Sequence, residues 1–454
     1  MRLLFLDHLA ADPGVLLEWT ALADPVPDPT PPTSNQTIHL SSGGPTTWLA
    51  AHFDVAGPID TTALETTFAH WIPRHDALHC AFGTAPDGGV AVRVAPDTGI
   101  TLAARAPVTV DSAGRLRALL GERLDDACAP TSFPPYFLGA VSRTETSTVV
   151  VGFDHAICDA WSIMIAVTEL DVLYRAAVEQ GPAAAAAAAR TLPEAGSFLA
   201  YATREAATPS AATGPLLDAW REFLRAGDND LPHFPLDLGT GGEPAPFGSD
   251  VRKVLGPNDT DALHLRARAE GFSLFAALLA AVALTAAELG GAPAIDLVFP
   301  VHTRREPRHH NTFGWLVANA PARVPVAGDF LATAHAAHAA VQAGQRLATV
   351  PAVRVFEAMG TELRRTRRDL FSVSYTDYRH LPGGSRSDTT RARPRDPAQF
   401  SRAAPLDDVQ LWFTRADDGL ALRTRFPDTP AARKVVGEFL DRLAETLTGA
   451  VRSG

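Results

Sequence analysis

The stretch Phe153-Asp154-His155-Ala156-Ile157-Cys158-Asp159-Ala160-Trp161-Ser162 decides how this chain reads. Upstream, residues 147–153 (STVVVGF) are β-branched and bounded by polar residues, the pattern of an interior strand. Downstream, residues 162–174 (SIMIAVTELDVLY) place apolar side chains at helical spacing. His155 and Asp159 therefore fall on a strand-to-helix loop, where side chains and backbone N–H groups can face one cleft. An imidazole titrates near neutral pH and can orient or deprotonate an amine, alcohol or thiol without a metal. A carboxylate four residues further on suits holding an arginine from elsewhere and so fixing the loop. Taken alone, the pair also fits a satisfied polar turn.

Composition narrows the class. The chain has 454 residues, is 46% hydrophobic and 20% charged, and carries a net charge of −11. That length suits two lobes, each large enough for its own core. Lys253 and Lys434 are the only lysines and no basic block tracks a phosphate backbone, so nucleic acid is not expected as a partner. Cys80, Cys128 and Cys158 are odd in number and lack metal-ligand spacing, which points to a reducing, cytoplasmic setting. The apolar start at residues 1–10 meets Asp7 and His8 too early for a signal peptide, and no run matches a membrane span.

Working outward, residues 22–35 are rich in proline and read as an extended connector, with the ordered body beginning there. Residues 48–55 read as a strand, and Asp60 caps a helix that runs to Trp71. His75 and His79 at its end read as structural. Residues 88–104 read as strand with a turn at 97–99, 116–124 as helix, and 131–141 as leading into a strand. The seven alanines at 183–189 have no apolar stripe and read as a surface linker or frayed helix.

Helices are then expected at 197–206, 215–224, 261–269 and 273–289, followed by a strand at 295–301. Next come His302-Thr303-Arg304-Arg305, a His-rich turn, and the run from Phe313-Gly314-Trp315 to Val324. His302, His309 and His310 lack supporting carboxylates or cysteines and read as a solvated loop, so no metal is assigned. Residues 330–347 read as a surface-lying helix, 370–378 as a strand and 382–400 as a mobile loop. A hairpin across Asp417-Asp418-Gly419 and a helix over 430–451 close the chain.

The stretch around His155 resembles the active-site motif of the condensation-domain superfamily, the chloramphenicol-acetyltransferase-like acyltransferases. Its signature is two His, three variable residues, Asp and Gly. His155 matches the second, functional His, Asp159 the structural Asp and Ala160 the Gly, while Asp154 stands in place of the first His. The run from Ile295 to Val324 is similar to the family's C-terminal lobe, as are residues 73–82 and the opening Ser34-Asn35-Gln36 with His39 to its N-terminal part.

The resemblance implies an α/β fold of two chloramphenicol-acetyltransferase-like lobes in a V-shaped pseudodimer, with the active site in the tunnel between them. Residues 1–32 would be an extension and connector, 33–180 the N-terminal lobe, 181–195 a linker and 196–454 the C-terminal lobe. It implies acyl transfer from a thioester on coenzyme A or a carrier protein's phosphopantetheine to a small amine or alcohol, in natural-product biosynthesis and with amide formation favoured. His155 would orient or deprotonate the nucleophile, the Ala160 N–H would bond the oxyanion, and Arg304 would pair with Asp159. Trp161, Ser162, Ser374, Tyr375 and Thr376 are the expected substrate contacts, and no bound cofactor is expected.

No adenylation module or carrier attachment site is recognisable, so the protein is expected to stand free, with an acyl or peptidyl carrier protein docking in trans. Asp154 with Asp159 and Ser162 also matches the Asp-x4-Asp-x2-Ser pattern of heterocyclisation domains. The altered first His and Gly raise a further alternative, a catalytically silent module that recruits partners.

Overall fold

A computed structural model describes residues 1–41, 47–96, 99–208, 210–387, 393–402 and 404–452. The apolar run at 147–153 lies inside the strand Thr146–Asp154, which pairs antiparallel with Trp48–Ala56 on one side and Tyr136–Ser142 on the other. Val149, Val151 and Phe153 enter one core with the helices Thr61–Trp71 and Ala160–Gln180; Val150 enters another with the helix Ala113–Ala127. Both sheet faces are covered, which is why the run does not alternate with polar residues. At Gly152 a Cβ would stand 2.2 Å from Leu124, so only glycine lets the helix Ala113–Ala127 lie this close.

Among the described residues this sheet has eight strands. Their order is Arg2–Phe5, Arg395–Ser401, Trp48–Ala56, Thr146–Asp154, Tyr136–Ser142, Gly14–Leu22 and Thr101–Ala104, with Val108–Val110 also beside Gly14–Leu22. Two expectations are corrected here. The chain is ordered well before residue 33, since Leu16 and Trp19 of Gly14–Leu22 are buried on opposite faces. The 382–400 stretch is not simply a loop: Arg395–Ser401 is inserted between Arg2–Phe5 and Trp48–Ala56, with Ala398 and Phe400 buried. Residues 388–392 of that stretch, and 97–98 of the expected turn, lie outside the described residues.

The alanine run is a helix, Pro182–Ala189, packed on Ala160–Gln180 and Thr61–Trp71 with Ala185 fully buried. Methyl side chains permit that close approach without an apolar stripe, and Arg74 donates to the last carbonyl, Ala189 O, at 2.9 Å. Residues 181–195 therefore belong to the first unit and are not a linker.

The chain divides into two units, Met1–Thr208 with Thr303–Leu316 and Arg379–Arg402, and Pro209–His302 with Val317–Tyr378 and Ala403–Gly454. The expected lobe boundary at 196 thus moves. The helix Phe198–Ala206 stays with the first unit because Asp76 accepts hydrogen bonds from Ser197 Oγ and Phe198 N, and Phe198 enters that unit's core.

In the second unit a six-stranded sheet runs Phe247–Leu255, Gly419–Pro427, Gln410–Ala416, Ser372–Asp377, Ala294–His302, Val317–Pro325, counted among the described residues. Alternate residues such as Leu297, Ala322, Val373, Leu411 and Leu422 face a core shared with the helices Pro257–Ala269, Leu274–Glu288, Phe330–Leu347 and Pro430–Arg452. The helix Phe330–Leu347 is not surface-lying: its alanines at 334 and 337 and Val341 are buried. No single described helix is long and apolar enough to cross a membrane, although Pro257–Ala269 and Leu274–Glu288 pass together as a pair bent by 101°.

Candidate active site

The strand Thr146–Asp154 delivers its last residue to a short 3-10 turn, His155–Ile157, and the helix Ala160–Gln180 starts three residues later with Asp159 as its N-cap. Asp159 is nearly fully buried and every bond it makes is to a structural partner. Its Oδ1 accepts from Ser162 N at 2.8 Å and Arg304 Nη2 at 3.0 Å; Oδ2 accepts from Arg304 Nη1 at 2.6 Å and Leu316 N at 3.0 Å. Arg304 is 1% exposed and also donates to Thr312 O and Gly314 O. These two-point, charge-assisted bonds clasp the segment Thr303–Leu316 onto the loop.

Ser162 belongs to the same clasp. Its hydroxyl accepts from Gly314 N at 2.9 Å and Arg304 Nη2 at 3.0 Å, and its one proton can go to Gly314 O at 2.7 Å or Asp159 Oδ1 at 2.9 Å. Fully buried and so engaged, Ser162 is not placed as the expected substrate contact. Trp161 donates to His310 O at 2.9 Å, and the Arg304 guanidinium lies 5.4 Å from its ring centre. At Gly314 a Cβ would stand 2.2 Å from the Phe198 ring, so the segment fits only with glycine there.

A second network holds the segment's far side. Asn311 donates to Glu169, which also receives Arg74 and sits 2.8 Å from His75 Nε2. Burial alone would raise the Glu169 carboxyl, but His75 and Arg74 outweigh it and hold it down to about 2. Phe313 packs edge-on against Phe153 and Trp71, with ring centres 5.1 and 5.7 Å apart. The segment is thereby fixed at several points, and Trp315 projects from it over the loop.

His155 is half-buried, and its Nδ1 lies 2.8 Å from Cys158 O. A carbonyl only accepts, so Nδ1 carries the proton and Nε2 presents a lone pair. Burial, then the nearby His39, depress the His155 pKa, against a smaller upward pull from the Cys158 carbonyl and Asp154. The neutral, proton-accepting ring is therefore the favoured form. The adjacent Cys158 thiol is pushed well up by burial and then by Asp159 and Asp154, so it is not a thiolate nucleophile.

Two side chains complete this corner without having been assigned a role from the sequence. Trp315 stacks on His155, with centroids 4.0 Å apart and planes at 23°. His39, from the helix Ser34–Ser41, meets Trp315 edge-on at 5.8 Å and puts Nε2 3.0 Å from Asp154 Oδ1. Asp154 is fully buried and also accepts from Ala156 N at 2.8 Å. The helix carrying His39 is well anchored: Thr33 N and Gln36 Oε1 bond as in a capping box, Gln36 Nε2 donates to Ala156 O at 2.8 Å, and Glu205 accepts from Ser34 N. The Thr33-x-x-Gln36 spacing was the available signal; nothing local pointed His39 at Asp154.

The expected site residues thus divide. The structure brings together Asp154, His155, Asp159, Ala160, Trp161, Ser162 and Arg304 in the first unit. Ser374, Tyr375 and Thr376 lie on Ser372–Asp377 in the second; Tyr375 packs beside Phe275 against that unit's core, while Ser374 and Thr376 point to the other face. Ala160 opens the helix Ala160–Gln180, at a position whose N–H has no partner within the helix. His309 bonds Arg204 at 3.0 Å, and among the described residues no group of three or more His, Cys, Asp or Glu could hold a metal.

A model of the condensation domain matches residues 33–413, and the chain belongs to that family of acyltransferases. It is 27% identical over 328 residues to the acyltransferase PapA3 of Mycobacterium tuberculosis, covering 72% of this chain and 68% of that protein. To the trehalose-2-sulfate acyltransferase PapA2 of Mycobacterium bovis it is 25% identical over 317 residues, covering 68% and 65%. Among solved structures, a PapA2 acyl transferase superposes with a TM-score of 0.87 at 22% identity, covering all of both chains. The X-domain from teicoplanin biosynthesis gives 0.69 at 17% identity, covering 95% of this chain and 98% of that one. The fold is therefore the mixed α/β condensation fold.

Proposed function

We propose that the protein transfers an acyl group from a thioester to a hydroxyl acceptor, forming an ester. The observation that carries this reading is the His155 ring, held by Cys158 O in the tautomer that offers Nε2 as a base. The acceptor O–H gives its proton to Nε2 as its oxygen bonds the thioester carbon. Collapse of the tetrahedral intermediate breaks the C–S bond, and the proton passes from His155 to the departing sulfur. The N–H of Ala160, which has no partner within its helix, is the proposed oxyanion donor. Coenzyme A or a carrier protein's phosphopantetheine would bring the acyl group as substrate.

Of the two acceptors expected, amine and hydroxyl, the hydroxyl is preferred over the amide formation first favoured because relatives of this chain are named for acylation of a sulfated trehalose. Heterocyclisation has less support, since two of its three residues, Asp159 and Ser162, are committed to Arg304 and Gly314. The test uses acyl-coenzyme A and acyl-carrier donors against sugar-alcohol and amine acceptors, with product read by intact mass. Ester that falls by about 10²–10⁴-fold in His155→Ala is the expected result. Amide alone would move the acceptor class, and turnover that survives His155→Ala would overturn the base assignment.

A further inference from the structure

Three stretches of the second unit cross at the end of its sheet where the parallel strands Ser372–Asp377 and Gln410–Ala416 begin. Residues 228–234 follow the helix Ser210–Ala226, 364–371 lead into Ser372–Asp377, and 406–409 lead into Gln410–Ala416. Backbone bonds stitch the first two: Arg364 N donates to Asn229 O at 2.7 Å, and Phe371 N to Pro232 O at 2.8 Å. Asp228 and Asn229 enter the crossing with φ of 59° and 57°, a left-handed pair without glycine that persists only while its surroundings hold it.

His233 stands where all three meet. Its Nδ1 lies 2.9 Å from Asp408 Oδ2, and its Nε2 lies 3.1 Å from Thr366 Oγ and 3.3 Å from Asp230 Oδ2. A hydroxyl, an imidazole and a carboxylate in line would be a nucleophile with its base, but the protons are placed otherwise. Thr366 Oγ donates to Asp230, so toward His233 it offers only a lone pair. All three oxygens are thus acceptors toward the ring, both ring nitrogens must donate, and the ring is an imidazolium.

We propose that His233 is the pin of a pH-sensitive latch: as the charged ring it ties residues 364–368 to Asp230 through Nε2, and on losing that proton it releases them.

The groups around the ring decide which side opens. From 406–409 comes Asp408, fully buried and bonded also by Phe234 N, Val409 N and Arg367 Nη1, so it stays an anion and keeps the Nδ1 proton. From 364–371 come Thr366 and Arg367, and from 228–234 comes Asp230; Asp407 and Asp369 bond neighbouring backbone instead. The proton that leaves is therefore the one on Nε2, beside the exposed Thr366. Thr366 cannot then serve both neighbours, because turning its hydroxyl to the bare nitrogen abandons Asp230. Burial opposes the charged ring, but the bond and charge of Asp408 outweigh it, with Arg367 pulling down and Asp230 up, and the pKa stands above the ordinary 6.5. The latch is accordingly closed below about pH 6.5 and is lost as pH rises through the higher folded value.

The segment carries its own reporter, because Arg364, Arg365, Arg367 and Arg368 are trypsin sites. The full chain is pulsed with trypsin between about pH 6 and pH 9, cuts are located by mass, and each rate is divided by that of the matching free peptide at the same pH. Cleavage within 364–368 then follows the open population. Its relative rate is expected to rise about three- to tenfold across the range, the worth of one hydrogen bond. His233→Gln has no charge to lose and is expected to be cut fast at every pH. In Asp230→Asn the amide can donate to Thr366, whose hydroxyl is then free to bond a neutral Nε2, so the profile is expected to be flat and slow.

A flat parent profile overturns the proposal, as does a parental slope retained in either variant. If His233→Gln does not fold, Asp230→Asn decides alone. A rise shared equally by arginines outside 364–368 is loosening of the whole unit and overturns the proposal as well.

Discussion

Two aspartates five residues apart on one loop have opposite surroundings. Asp159 is closed: both oxygens face Arg304, and Ser162 and Leu316 take further lone pairs, so its carboxylate holds chain together. Asp154, also fully buried, accepts from Ala156 N and lies 3.0 Å from His39 Nε2, beside the His155 ring. Identical side chains thus clasp a distant segment at one end and meet a histidine beside the His155 ring at the other. The difference comes from the partner, a two-pronged guanidinium from a distant segment against a single ring nitrogen.

The sharpest way to break this contrast is to cut the closed end. Asp159→Ala leaves Arg304 buried without its counter-charge and should lower stability by about 3–5 kcal/mol, read as a lower urea midpoint and soluble yield. Unchanged unfolding would deny Asp159 its architectural part. Ser162→Ala should cost less, about 1–3 kcal/mol, because Gly314 N and one Arg304 N–H lose an acceptor while the ion pair survives. A Ser162→Ala enzyme with parental stability but weakened substrate binding would return Ser162 to the substrate pocket.

A buried ring with no partner marks the other limit. Neither nitrogen of His52 has a hydrogen-bond partner among the described residues, and burial, only partly opposed by Asp54, takes its pKa down to about 4. The fold requires this ring neutral. Its contribution is fully present above the unfolded value near 6.5 and is lost as pH falls from there through about 4. Between about pH 7 and pH 5.5 the loss is roughly 1 kcal/mol, and His52→Phe should flatten that part of the stability curve. An equally steep decline in His52→Phe would shift the cause to another group.

How much was legible in the sequence follows from how local each signal is. The strand at 147–153, the Asp60 cap and the hairpin at 417–419 are written in neighbouring residues, and each appears where its pattern puts it. Arg304 opposite Asp159 is a long-range contact that the family resemblance supplied. Elsewhere local chemistry misled: prolines at 25–32 hid the ordered strand Gly14–Leu22 before them, and the lack of a stripe in the alanine run hid that its helix packs, which small side chains allow. Insertion of Arg395–Ser401 into a sheet formed by the first half of the chain leaves no trace in its own residues. His39 and Trp315 were missed for the same reason, since their meaning lies in what they meet.

The stack of Trp315 on His155 also gives the site its own optical signal. An indole in face contact with an imidazole is quenched more strongly when that ring gains a charge, because the cation draws on the excited π-system. The chain has seven tryptophans, and the component lost in Trp315→Phe isolates this one. Its emission would follow the charge on His155, so the protein carries a fluorescent gauge of that ring without any added label.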